Sequence, residues 1–350
     1  MRTFGQGAKP RPLEPAELPR DSLRYRVKNT LLGPPLRTDQ LESERLGKPS
    51  ALAIFASDNL SSCAYATEEI LRVLVPAVGI AAFSLVVPIS GAMLVVLSLL
   101  ILSYRQTIKA YPSAGGAYLV TRDNFGISLA QVAGAALLTD YVLTVAVSVA
   151  AGTAALASAI PSLSSYTVPI SVGFVILLAY GNLRGLREAG KVFTIPTYFF
   201  IVNVGVLIAA GAFRFLSGSL PRAVHVEGMY KFGDPGSGLL LGASAFIVLK
   251  AFASGGAAVT GVEAISNGVP AFRPPEWRNA RTTLVAMGTI LGVMFIGLSV
   301  LAGFTHVAPF EEGTPTVVSQ IGRLVYGDTT LAHFLFYSLQ ASTTVILVLA

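Results

Sequence analysis

The sequence is short of charge and almost free of cysteine. Only 13% of its 350 residues are Asp, Glu, Lys or Arg, about half the share of a soluble globular domain. The single cysteine, Cys63, excludes an intrachain disulfide, and its apolar neighbours make it a small buried side chain. The three histidines, His225, His306 and His333, stand far apart, without the spacing of a metal site. There is no nucleophile elbow paired with a triad. The run Gly185–Lys191 fits most of a phosphate-binding loop, but Val192 stands where Ser or Thr would hold magnesium, and no strand precedes it. These absences argue against an enzyme, and no cofactor is expected. The opening 48 residues contain no early apolar stretch, so a cleaved leader is not expected and the first apolar segment should serve as signal and anchor together.

Apolar surface is what the chain has in excess. Hydrophobic residues make up 53% of it, and the mean hydropathy is +0.65. A soluble fold of this length cannot hide so much apolar surface, whereas a bilayer can. A spanning helix needs about 20 mostly apolar residues, and eight such segments are present: Ser50–Val75, Ile80–Tyr104, Ile127–Ile160, Val168–Asn182, Phe193–Phe215, Gly238–Val269, Thr282–Phe304 and Leu331–Ala350. The third and sixth exceed one perpendicular span, which predicts tilt or a break. The net charge of +6 does not point to nucleic acid, because the basic residues sit at the ends of the apolar runs.

Those basic residues set the orientation. Arg2, Lys9, Arg11, Arg20, Arg24, Arg26, Lys28, Arg37, Arg45 and Lys48 precede the first span. The even-numbered connections add Arg105, Lys109, Arg122, Arg184, Arg187, Lys191, Arg273, Arg278 and Arg281. The opposite side carries only Arg72, Arg214, Arg222, Lys231 and Arg323. The positive-inside rule puts the amino terminus in the cytoplasm of a multi-pass plasma (inner) membrane protein. The expected division is a cytoplasmic segment at 1–48, a first five-helix repeat at 49–216, an extracytoplasmic loop at 217–237 and a partial second repeat at 238–350. Arg105–Phe125 reads as a cytoplasmic linker with a turn. Leu331–Ala350 is apolar to its last residue, so the chain is expected to be a fragment of a longer transporter.

Two spans are interrupted in composition. In the first, Ser57-Asp58-Asn59-Leu60-Ser61-Ser62 divides two apolar runs. In the sixth, Ser254-Gly255-Gly256 does so, followed by Thr260-Gly261-Val262-Glu263. Polar breaks in mid-membrane are costly unless the backbone lines a cavity. Their placement in spans one and six is that of an inverted repeat with a binding site at the interface of the two halves. The alternative, small residues that only let helices approach closely, is weaker because each break also carries a carboxylate.

Charges inside apolar runs are candidates for function. They are Asp58, Glu68, Glu69, Asp140, Lys250 and Glu263. Glu69 lies near the end of its span, and Glu68 is ambiguous. Asp140, Thr144 and Ser148 share one helix face. Asp58, Asp140 and Glu263, with hydroxyls from Tyr65, Tyr141, Thr144, Ser148 and Thr260, make an oxygen-rich set suited to a hard cation. A buried carboxylate can also carry a proton, and Asp140 and Glu263 are the candidates for proton coupling. Lys250 is expected to be a counter-ion to one of the acids.

Several ordered blocks resemble the amino acid–polyamine–organocation superfamily, and within it the KimA-type potassium/proton symporters. They are Ser57–Glu68, Leu102–Gln106, Tyr111–Tyr118, Asp140–Ser148, Asn182–Leu186, Leu249–Phe252, Thr260–Asn267 and Val317–Ile321. The resemblance implies an all-α bundle of the LeuT type, two inverted five-helix repeats with discontinuous first and sixth helices. It implies potassium uptake coupled to protons by alternating access, a homodimer in the full-length form, and a cytosolic carboxy-terminal domain regulated by cyclic di-AMP. By motif position it implies potassium contacts from Asp58, Tyr65, Tyr141, Thr144, Ser148, Thr260 and Glu263, with Asp140 nearby. A further potassium-contacting tyrosine of those symporters has no counterpart here. An amino acid permease of the same superfamily and an inactive truncated fragment remain as other readings. The expected partners are the lipid bilayer and a small cation or amino acid, with no nucleic acid.

Overall fold

The computed structural model describes residues 23, 45–183, 189–238 and 240–350, with the backbone alone at 182–183 and 189–192. Most of the amino-terminal basic segment, Arg184, Arg187 and most of Gly185–Lys191 lie outside the described residues. In order, the helices are α1 (Lys48–Ser61), α2 (Cys63–Val78), α3 (Ala82–Ala110), α4 (Gly116–Phe125), α5 (Ile127–Ala159), α6 (Thr167–Leu183), α7 (Ala189–Leu216), α8 (Ala245–Gly255), α9 (Ala264–Asn267), α10 (Glu276–Thr305), α11 (Val317–Tyr326) and α12 (Thr330–Leu349). Among the described residues there is no β-sheet, only isolated bridges.

Among the described residues, six stretches are long and apolar enough to cross a membrane. The first, Lys48–Ala110, contains two of the eight sequence segments, because the chain turns back at Gly79, where φ is +56°, and α2 packs on α3. The eighth segment missing from that tally is the sixth span, which is broken into pieces too short to qualify. It also begins later than the hydropathy suggests. Gly238 bridges to Gly242 and Leu240 to Ala243, and the helix starts at Ala245, where Ser244 Oγ caps it by accepting from Ile247 N. The long third span does not break. Helix α5 runs unbroken for 33 residues, about 50 Å at helical rise, against a hydrocarbon layer of about 30 Å.

The first span occupies the middle of the bundle. Ala51, Leu60, Ile70, Leu71 and Leu74 are fully buried. Helices α3, α7, α8, α10 and α12 surround it, with α10 packed along α3 and α12 along α5. Buried hydroxyls join three of these helices. Thr67 of α2 meets Ser299 of α10 at 2.9 Å, and Ser90 of α3 donates to Ser299 at 2.9 Å. Such hydrogen bonds hold helices together where lipid gives no hydrophobic drive. Helix α6 lies on the flank against α5, where Ser171 meets Thr153 at 2.9 Å, and none of its apolar window is buried.

The two broken spans are also tied at one end. Leu46 N donates to Ala271 O at 2.8 Å, and Arg273 N donates to Leu46 O at 3.1 Å. The Arg45 guanidinium pairs with Glu276 at 2.5 Å. Phe55 stacks on Phe272 at 5.4 Å between centroids. At the opposite end the loop from Ser217 to Ser237 is laid over the bundle. Ala223 N reaches Thr305 O at 2.7 Å, and Gly233 N reaches Val75 O at 3.1 Å.

Candidate functional site

The interruption in the first span is shorter than its composition predicts. Five polar residues in a stretch of six suggest unwinding, yet α1 stays helical to Ser61 and only Ser62 separates it from α2. The serine hydroxyls explain this. Ser57 donates to Ile54 O, Ser61 to Asp58 O and Ser62 to Asn59 O, at 3.1, 2.7 and 2.6 Å. Each satisfies its own hydroxyl on the preceding turn, which lets a polar segment remain helical in apolar surroundings.

The sixth span is where the backbone opens. After α8, residues Gly256–Val259 form a 3-10 turn. Thr260 is extended, with φ −68° and ψ 156°, and Gly261 has φ +78°, a region that glycine alone enters freely. Helix α9 then starts with Glu263 at its amino-terminal cap. Freed backbone in mid-bundle requires partners, and the first span supplies two, the weaker being Ser62 Oγ, which donates to Ala258 O at 3.5 Å. Asn59 Nδ2 donates to Thr260 O at 2.5 Å.

The two carboxylates of the breaks come together here. A Cβ on Gly261 would lie 2.6 Å from Asp58 Oδ2, so the Asp58 side chain lies directly over the glycine. Asp58 and Glu263 are both half-buried, and they interact electrostatically with each other and with Asp140. Asp58 Oδ1 and Glu263 Oε1 are buried atoms without a hydrogen-bond partner. Among the described residues neither acid has a basic partner within ion-pair distance.

The hydroxyls form the rest of the wall. Asp140 and Thr144 are half-buried and Ser148 is fully buried, while Leu143, Val145 and Val147 are exposed. That pattern turns the Asp140–Thr144–Ser148 face of α5 inward. Tyr65 of α2 is buried beside Ser148, with its hydroxyl directed at the serine. The Tyr141 hydroxyl accepts from Asn267 Nδ2 at 3.1 Å. Thr260 Oγ1 donates to Ala257 O at 3.0 Å, so its lone pairs remain free to accept. Lys250 is exposed on α8 and makes no ion pair among the described residues. In this arrangement it is not seated against any of the three acids.

Three contributors had no separate signal in the sequence reading. Asn59 bridges the two breaks. Asn267 orients Tyr141 and leaves its own buried Oδ1 unpartnered. Tyr104 of α3 interacts electrostatically with Glu263 and Tyr141. Glu68, by contrast, has a resolved place away from this cluster. It is 4% exposed, accepts from Arg72 Nη2 at 3.0 Å and from Val317 N at 3.0 Å.

The model of the family described as amino acid permease matches residues 46–346. The potassium transporter KimA of Bacillus subtilis is 44% identical over 326 residues, which cover 93% of this chain and 51% of that protein. The chain thus spans about half the length of the curated relative it matches.

Proposed function

The chain belongs to the amino acid permease family and is a multi-pass membrane protein, and from that premise we propose that it takes part in proton-coupled potassium uptake by alternating access. One observation carries this reading. Two carboxylates meet at the paired breaks, each with a buried oxygen that no donor satisfies. An unpaired buried charge is costly, and a cation at this place removes that cost for both. Potassium is the substrate. Asp58 and Glu263 supply the charge, and the hydroxyls of Tyr65, Tyr141, Thr144, Ser148 and Thr260 replace water in its shell. Asp140 and Glu263 are the carboxylates assigned to the proton. The likeness to a potassium transporter supports the choice of ion. Basic residues at Arg105, Lys109, Arg122, Arg273, Arg278 and Arg281 support an amino terminus in the cytoplasm.

The family's description favours a second reading, amino acid transport. A permease of this fold directs half-helix amino termini at the substrate carboxylate. Here Asp58 and Glu263 would face that carboxylate, and like charges repel.

Growth of a bacterium lacking its own potassium importers, at low external potassium, tests the proposal. Expression of the chain should restore growth, and Asp58→Asn or Glu263→Gln should abolish the rescue at unchanged protein level. No rescue from well-expressed protein, together with uptake of a labelled neutral amino acid, would overturn it.

A further inference from the structure

A second built region lies on the other side of Tyr65. A cavity of about 290 Å³ is lined by Tyr65, Glu68 and Arg72 of α2, Ala155 of α5, Thr316 before α11 and Leu347 of α12. It abuts the cluster described above, with which it shares Tyr65. Helix α11 starts at its rim, and the start of α11 is pinned twice. Ser158 Oγ of α5 accepts from Thr316 N at 3.0 Å. Glu68 Oε2 accepts from Val317 N at 3.0 Å, while Glu68 Oε1 holds Arg72. Both oxygens of a nearly fully buried carboxylate are therefore spent on contacts outside the cluster, one of them on a backbone donor from a distant segment.

We infer that Glu68 is a positioning residue that latches α2, the far half of the first broken span, to the amino terminus of α11, and so covers the floor of this cavity at Ala155, while its mouth at Glu69 and Glu312 stays open. Glu68 touches no substrate. It makes the tilt of α2 and the seating of α11 a single movement, because either can shift only when the carboxylate releases Val317 N. This rests on the transport reading for its purpose, but not for its test.

The test is thiol accessibility in lipid nanodiscs, where both faces of the protein meet water. Ala155 is 1% exposed and lines the cavity one turn before Ser158. In a Cys63→Ala background, Ala155→Cys reports opening through its rate of modification by an uncharged, water-soluble thiol reagent, whose local concentration does not depend on the charge of the cavity wall. Val317 is the first residue of α11 and follows an extended Thr316, a place where proline is well tolerated. Val317→Pro therefore deletes the N–H donor and leaves the helix and all charges intact. Losing one charge-assisted hydrogen bond should speed modification by about tenfold, in Val317→Pro and in Glu68→Ala alike. Glu69→Gln, which removes another partner of Arg72 and a charge from the same cavity wall but leaves Glu68 on Val317 N, should leave the rate unchanged. An unchanged rate in Val317→Pro overturns the latch, whether or not Glu68→Ala folds. So does an equal rise in Glu69→Gln, which would mark general loosening. Because the readout needs no transport, a faster rate alongside failed potassium rescue leaves the latch standing and rejects only the substrate.

Discussion

Gly261 shows how little room a single residue has here. Its positive φ and the Asp58 oxygen above it each exclude a side chain. Left-handed backbone alone costs a non-glycine residue about 1–2 kcal/mol, and a Cβ would displace the carboxylate as well. Gly261→Ala should therefore remove potassium-dependent growth while the protein still reaches the membrane, and uptake of rubidium as a tracer checks this. Asn59→Ala should act more mildly. It removes one bond between the breaks, worth about 1 kcal/mol, and should weaken apparent ion affinity more than maximal rate. The acids and hydroxyls of this region were legible in the sequence because a charge inside an apolar run stands out. Asn59 and Asn267 were not. Each is a short amide among other polar residues, and its partner is a distant residue that no local pattern points to.

Among the helices, what holds the bundle is polar as much as apolar. Ser299 meets hydroxyls of two other helices at once. Interhelical polar contacts in membranes average about 0.6 kcal/mol and reach about 1.7. Ser299→Ala should lower unfolding free energy by roughly 1 kcal/mol in a detergent-denaturation titration, with Thr67→Ala costing less because Ser90 keeps its contact. The spans themselves were legible from their hydropathy, to within a turn at most ends. The sixth was not, since Gly238 and Gly242 count toward an apolar run while they bridge to each other ahead of the helix. Helix α11 went unnoticed for a related reason. At ten residues it is too short for a spanning segment, and its burial comes from lying across other helices. The first break was misjudged in extent, because serine can serve a helix as easily as end one.

At the scale of the whole molecule, orientation is the open quantity that one experiment decides. The loop that carries Glu227 and the helix that carries Asp123 should face opposite aqueous compartments, and both residues are exposed. In intact cells a membrane-impermeant thiol reagent should modify Glu227→Cys at once and Asp123→Cys only after permeabilisation. The reverse order would place the amino terminus outside. The overall class was readable from composition alone, since so much apolar surface has no other home than lipid. The arrangement of helices was not. That α10 lies along α3, or that α6 is left bare on the flank, depends on contacts between segments far apart in the chain.

The fit of Asp58 over Gly261 has a consequence for how such a chain can change over time. A feature in one half of the sequence has its complement in the other half as an absence of atoms. Grafting either segment from a relative that lacks the matching partner would bring a collision or leave a void. The two segments must therefore be inherited together, as one unit split between opposite halves of the sequence. A hybrid protein joined anywhere between them should work only when both come from the same parent.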